Sequence, residues 1–337
     1  KILKKKSVGF AESYMDGDFT SSNLTNLLML ALKNEKYFLK NLKNNFFFNI
    51  FSNFKHFLNE NTKSQSKKNI SYHYDLGNNF YTKWLDNSMT YSSAFFEQEN
   101  QNLFDAQLNK YHKIAEALDL NENSKVLEIG CGWGGFSAYA AKNFKSKIDA
   151  ITISKAQFEY ASNKIQKEGL NEKVSIKFKD YRDIDKQYTN IASIEMFEAV
   201  GKKYWENYFE VVKSSLLNSG KAALQIITID KKRSFEYQRQ PDFIQQYIFP
   251  GGMLPTKEEL RQINQNLGLD FNETKSFGIS YAKTLNVWNN RFQSSWQDLV
   301  KQGFNERFKR MWEFYLSYCE TGFISKSTDV SHFLIKK

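Results

Sequence analysis

A chain of 337 residues, 41% hydrophobic and 25% charged, has the length of about two domains and enough apolar content for a core, which excludes a disordered protein. With 3 Pro and 16 Gly it is neither collagen-like nor linker-rich, and 2 Cys cannot staple a scaffold of this size, so a reducing compartment fits. The formal charge is +10, of which the first 70 residues carry a net +7, from twelve lysines, no arginine and five acids.

Residues 1–70 read as a helical, basic, lipid-binding region, and a start at Lys1 rather than Met implies a trimmed N-terminus. Polar residues 18–22 offer caps ahead of Leu24, Leu27, Leu28, Leu30 and Ala31. Phe47, Ile50, Phe51, Phe54 and Phe57 recur at helical spacing between lysines and asparagines, the pattern of an amphipathic helix that packs on a neighbour or lies in a lipid surface. Residues 59–69 read as a polar linker. No stretch is long and apolar enough to span a bilayer.

From residue 125 onward, short β-branched runs alternate with helical stretches, which predicts an α/β fold: a Rossmann-like parallel sheet with helices on both faces. Strands are predicted at 125–129, 147–153, 174–178, 191–193 and 221–229, helices at 135–143, 155–168 and 202–217, and a late edge strand at 331–335. An aromatic, polar insert at about 231–280 interrupts the alternation where it could roof a pocket.

The most informative segment runs from Val126 to Phe136, where an apolar strand carrying Glu128 ends in Gly130-x-Gly132-x-Gly134 and a helix begins. Glycines there let backbone approach a ligand at the carboxyl end of a strand. A plain turn and a dinucleotide site are both compatible with such a loop, but the two-by-two spacing resembles the S-adenosylmethionine (SAM) loop of class I methyltransferases. Strand two lacks the usual terminal carboxylate, since Asp149 falls too early, which leaves Thr152 and Gln157 as the polar contacts.

Seven ordered motifs resemble the cyclopropane fatty acid and mycolic acid cyclopropane synthases. They are His73-Tyr-Asp-Leu-Gly-Asn-Asn-Phe80, Met89-Thr-Tyr-Ser-Ser-Ala-Phe-Phe-Glu97, the glycine loop and Thr152-Ile-Ser-Lys-Ala-Gln157, then Ser193-Ile-Glu-Met-Phe-Glu-Ala-Val-Gly201, Tyr247-Ile-Phe-Pro-Gly-Gly-Met-Leu-Pro255 and Tyr281-Ala-Lys-Thr-Leu-Asn-Val-Trp288. Residues 71–337 would then form the catalytic domain. Glu12-Ser-Tyr-Met-Asp-Gly17 is similar to the helical N-terminal domain of the bacterial fatty acid enzymes.

The resemblance implies SAM contacts at Tyr91, Ser92, Glu128, Gly130, Gly132, Gly134, Thr152, Gln157, Tyr181 and Arg182. It also implies a second small cofactor, bicarbonate, held by Ser93, Glu198, Gln225, Ile227 and Tyr281. Better-known members carry Cys at the position of Ser93 and often His at that of Gln225. The implied activity is methyl transfer to the double bond of an unsaturated phospholipid acyl chain, the bicarbonate, oriented by Glu198 and Tyr281, closing a cyclopropane ring by taking a proton. A carbocation on this path would be steadied by aromatic faces, for which Tyr204, Trp205, Tyr247, Phe249, Tyr281 and Trp288 are candidates.

Two rivals share the fold, a methylene or methyl branch in place of the ring and a small-molecule N-methyltransferase. The expected partners are unsaturated acyl chains and an anionic lipid surface, with a homodimer allowed, at a cytoplasmic, peripherally membrane-associated location. An arginine-free N-terminal region argues against nucleic acid. His56, His73, His112 and His332 show no ligand spacing, so no metal is expected, and Cys131 and Cys319 read as small buried residues.

Overall fold

The computed structural model describes residues 2–35, 37, 61–63, 65, 66, 69 and 76–337. The Phe-rich helix predicted at 47–57, His56 and His73 lie outside these residues. The N-terminal helices are α1 (Ile2–Met15) and α2 (Leu24–Lys33). Asn23 caps α2, its side chain accepting the Asn26 N–H at 2.9 Å. A single turn α3 (Asn78–Tyr81) and helix α4 (Leu103–Ala117) precede the sheet.

The alternating portion runs β1 (Lys125–Ile129), α5 (Gly135–Asn143), β2 (Lys147–Thr152), α6 (Lys155–Lys167), β3 (Val174–Phe178), β4 (Tyr188–Ile194), α7 (Trp205–Ser215) and β5 (Leu216–Ile229). It continues through α8 (Lys231–Tyr237), α9 (Lys257–Asn266), β6 (Asp270–Ser276), α10 (Gly278–Ser294), α11 (Trp296–Lys301), α12 (Glu306–Ile324) and β7 (Thr328–Lys336). These strands form one seven-stranded sheet in the order β3-β2-β1-β4-β5-β7-β6. The first five are parallel, and β7 runs antiparallel to both β5 and β6.

Burial on both faces explains why the central strands read as nearly unbroken apolar runs. One face packs Tyr111, Ile114 and Phe136 from α4 and α5 against Val126, Ile148 and Ala192. The other receives Trp205, Tyr208, Phe209 and Val212, spaced along one side of α7, against Leu127, Ile191 and Leu224. A third core, rich in aromatics, joins Phe80, Trp84, Trp288 and Trp312 beyond the sheet. Helices α1 and α2 pack against α12, where the Tyr14 hydroxyl donates to Glu313 and the Thr25 hydroxyl to Glu320, each at 2.8 Å.

Two expectations are corrected. The late strand is not at the edge: β7 lies between β5 and β6, buried along Val330–Phe333, and the edge is β6, which the sequence reading missed. Its sequence, DFNETKS, is mostly polar because an exposed edge strand needs only its ladder partner, so it carries little hydrophobic signal. The helix expected to reach residue 217 stops at Ser215, because Leu216 already pairs with Tyr188 in the sheet. Within the insert, α9 starts on a full capping box between Thr256 and Glu259, and a π-helical turn spans Ile244–Ile248.

Candidate active site

The strand order reverses between β1 and β4, and a cavity opens there at the carboxyl ends of the strands, the place where such sheets bind ligands. Its walls include nine of the ten residues expected to contact SAM: Tyr91, Ser92, Glu128, Gly130, Gly132, Thr152, Gln157, Tyr181 and Arg182. The tenth, Gly134, does not line the cavity but stands at the N-cap of α5 in the left-handed conformation. The loop is pinned to the sheet by the Gly130 and Cys131 N–H groups, both donating to the Ile151 carbonyl at 3.0 Å. A Cβ at Gly132 (φ +52°) would meet no atom within 4 Å, so the loop presents bare backbone to open space.

Polar groups around the cavity are held in fixed orientations. The Thr152 hydroxyl donates to the Gln157 side chain at 2.9 Å, while Asp149 is turned away into bonds with Lys177 and Tyr188. Arg182 donates from both Nε and Nη2 to Asp180 at 2.8 Å, a bidentate fork. Burial pushes the Asp180 carboxyl up, but these hydrogen bonds outweigh it and hold it below its ordinary range. Asp180 lines the cavity and went unnoticed in the sequence, although it immediately precedes Tyr181 and Arg182. Burial lifts the Glu128 carboxyl to about 7, opposed by the Ser137 hydroxyl bonded to it.

Ser93, Gln225, Ile227, Glu198 and Tyr281 come from four separate stretches, Gln225 and Ile227 both lying on β5, and converge just behind this cavity. At their centre is a residue the sequence reading quoted but assigned no role, Glu195, which also lines the cavity. Its Oε1 accepts the Ser93 N–H at 2.8 Å and the Gln225 amide at 2.6 Å, and its Oε2 accepts the Tyr281 hydroxyl at 2.6 Å. Glu198 Oε1 accepts the Ile227 N–H at 2.5 Å. The expected bicarbonate ligands are thus engaged with the chain's own carboxylates, and these residues do not fit a separate bound anion.

The shell behind Glu195 explains its orientation. The Gln225 amide nitrogen faces Glu195, so its oxygen faces His332 Nε2 at 2.9 Å and the imidazole must donate from that nitrogen. Burial, then Lys110, pushes the His332 ring down to about 3, which keeps it neutral. Lys110, fully buried on α4, donates to the Ser92 hydroxyl at 2.6 Å. Of the candidate aromatics, Trp288 and Tyr281 join Tyr91 in one cluster, with ring centroids 5.3 Å apart for Tyr91 and Trp288 and 6.1 Å for Tyr281 and Trp288. Trp205 packs instead on Phe197 in the core, and Tyr247 donates to Glu12.

Glu198 holds a proton near neutrality: burial first, then the Glu195 charge, lift its pKa from 4.5 to about 8. A glutamine mimics that protonated form, so Glu198→Gln is expected to keep turnover at pH 7 within about threefold of the parent, because it retains an acceptor for the Ile227 N–H. The folded state binds the extra proton between 4.5 and about 8, so this group's stabilising contribution is lost as pH rises through about 8. Melting curves should therefore show Glu198→Gln gaining on the parent across that window. A loss of turnover of roughly 100-fold or more at pH 7 would instead make Glu198 an ionised participant.

Sheet order, glycine loop and acid-lined cavity together define a class I SAM-dependent methyltransferase. The chain belongs to the mycolic acid cyclopropane synthetase family, whose sequence pattern matches residues 61–333. It is 36% identical over 339 residues to the tuberculostearic acid methyltransferase UfaA1 of Mycobacterium tuberculosis, covering 98% of this chain and 79% of that protein. It is equally 36% identical over 337 residues to the cyclopropane-fatty-acyl-phospholipid synthase of Escherichia coli, covering 96% and 81%. The mycolic acid cyclopropane synthase CmaA1, crystallised with S-adenosylhomocysteine (SAH) and CTAB, superposes with a TM-score of 0.74 at 26% identity over 80% of this chain and 98% of that one.

Among the described residues, no helix is long and apolar enough to cross a membrane, and no group of three or more His, Cys, Asp and Glu side chains is placed to hold a metal ion.

Proposed function

We propose that this enzyme methylates the carbon–carbon double bond of an unsaturated phospholipid acyl chain and closes a cyclopropane ring. Bound SAM supplies an electrophilic methyl group on a sulfonium. The glycine loop, Glu128, Asp180 and Gln157 supply bare backbone and acceptors suited to its amino, hydroxyl and adenine groups. The observation that carries the reading is the aromatic cluster of Tyr91, Tyr281 and Trp288 beside the Glu195 carboxylate, with Tyr91 and Glu195 lining the cavity and the other two rings buried behind them. An isolated alkene leaves a positive charge on carbon when it is methylated, and aromatic faces with a buried carboxylate are suited to steady that charge.

The 36% identity to the tuberculostearic acid methyltransferase, equal to that with the cyclopropane synthase, supports a second outcome in which the same cation ends as a branch. The lysine excess of the first 70 residues supports recruitment to anionic headgroups, at on the order of 1 kcal/mol per nearby lysine. The test is incubation with SAM and vesicles of unsaturated phosphatidylglycerol or phosphatidylcholine at low and high salt, followed by mass spectrometry of the acyl chains. The expected result is one added CH2 on unsaturated chains only, faster on the anionic vesicles and slowed by salt. Fragmentation separates a ring from a branch. Unmodified chains in the presence of enzyme that binds SAH would overturn the reading.

A further inference from the structure

The geometry points to Glu195 as a built-in proton acceptor, standing where the family resemblance implies a bound bicarbonate. The inference rests on the proposed methylation of an alkene, and it names the group that takes the last proton.

Four donors expected to surround a small anion are already committed. The Ser93 N–H, the Gln225 amide and the Tyr281 hydroxyl all go to Glu195, and the Ile227 N–H goes to Glu198. A second anion would lose those donors and sit against a buried carboxylate of like charge, which low-dielectric surroundings strongly disfavour. The backbone turns to put Glu195 there. Immediately after β4, Glu195 takes φ +50°, a left-handed conformation that a side chain adopts only at a cost. Its own N–H donates to the Gln225 carbonyl at 2.9 Å, so both ends of the residue are tied to β5.

Burial raises the Glu195 carboxyl above its ordinary range, which strengthens it as a base, while the Tyr281 hydroxyl, the Lys110 ammonium, the Ser93 N–H and the Gln225 amide oppose that rise and favour the carboxylate that accepts their hydrogen bonds. Glu198 holds the neighbouring proton, and Tyr281, whose phenol is pushed far up by burial and by Glu195, remains a donor. His332 is neutral and bonded to Gln225, so it does not compete for a proton.

The step balances without an external base. The π electrons of the alkene form a bond to the methyl carbon while the carbon–sulfur pair returns to sulfur, giving SAH and a cation on the adjacent carbon. A Glu195 oxygen then takes one proton from the new methyl group, and the released carbon–hydrogen pair closes the three-membered ring. The proton passes from Glu195 to solvent, so the net products are SAH, the cyclopropane and one proton.

The test compares the parent with Glu195→Gln and Glu195→Gly in buffers freed of carbon dioxide, then with bicarbonate added. The parent is expected to turn over equally with and without bicarbonate. Glu195→Gln should lose roughly 100- to 10,000-fold in turnover, with SAH affinity by calorimetry within about threefold of the parent. Glu195→Gly relieves the left-handed strain and vacates the donors, so added bicarbonate should restore part of its rate. Independently of turnover, the line width of 13C-labelled bicarbonate should broaden with the glycine variant and not with the parent.

A bicarbonate requirement in the parent, bicarbonate binding by the parent at this site, or near-parent turnover in Glu195→Gln would each overturn the inference. If the parent modifies no unsaturated lipid, the reaction assignment fails, while the labelled-bicarbonate measurement still decides whether Glu195 fills the anion position.

Discussion

Gly130→Ala is expected to abolish SAH binding and to destabilise the fold by about 2–5 kcal/mol, the sum of two independent penalties. The first is backbone strain: Gly130 sits at φ +80°, where a side chain costs about 1–2 kcal/mol. The second is steric, because the added Cβ would lie 2.6 Å from Met196 Cγ and 2.9 Å from Met196 Cβ. A Cγ can swing aside, but a Cβ moves only with its backbone, and that backbone follows directly on Glu195. Overpacking of this kind costs about 1–3 kcal/mol. Relief would shift the glycine loop and the carboxylate turn together, which couples binding to the position of Glu195. Thermal melts and SAH titration calorimetry check both halves; binding within threefold of the parent would remove the loop from the cofactor site.

Lys110→Met is expected to lower turnover at neutral pH by roughly 10- to 100-fold and to move the acid limb of the pH–rate profile upward by about one to three units. Lys110 has no solvent exposure, and burial pulls its pKa down to about 7 even though Glu195, Asp86 and Glu128 all attract its charge. Removing the ammonium takes away an opposite charge that offsets the desolvation of Glu195, so the carboxyl holds its proton to higher pH. Lys110 touches Ser92 rather than reacting atoms, which makes it a positioning residue, and the profile shift separates that role from simple damage to the fold.

Stability should respond with a definite sign. The folded protein has a lowered lysine pKa, so between about 7 and 10.5 the unfolded chain binds more protons and parent stability rises with pH. The methionine variant lacks that rise, so it gains on the parent as pH falls from about 10.5 to about 7 and keeps a constant advantage below 7. An unshifted pH–rate profile would mean that Lys110 does not tune Glu195.

Particular residues mark how far the sequence could be read. The strands at 125–129 and 174–178 match the structure residue for residue, the first because a buried parallel strand is written locally as an apolar run, the second, an edge strand buried only at Val174, because its apolar residues alternate. The family resemblance named Ser93, Glu198, Gln225, Ile227 and Tyr281, and the structure brings all five together. Strand β6 escaped because its polar composition resembles a loop, and Lys110 escaped because a lysine on an amphipathic helix ordinarily faces water. Asp180 escaped for a related reason: nothing local distinguishes it from the surface acids around it until Arg182 folds back upon it.

The amino-acid order by itself determined the parallel sheet, the glycine loop and the methyltransferase family, since each depends on short-range periodicity or on residues adjacent in the chain. Only the tertiary structure decided which of two glutamates, three residues apart in one motif, receives the converging donors. Those donors lie at positions 93, 225 and 281, and the left-handed turn at Glu195 aims its carboxylate at them while Glu198 is left to Ile227. Hydrogen bonds over such separations, and the burial that sets their charge states, exist only once the chain has closed around them.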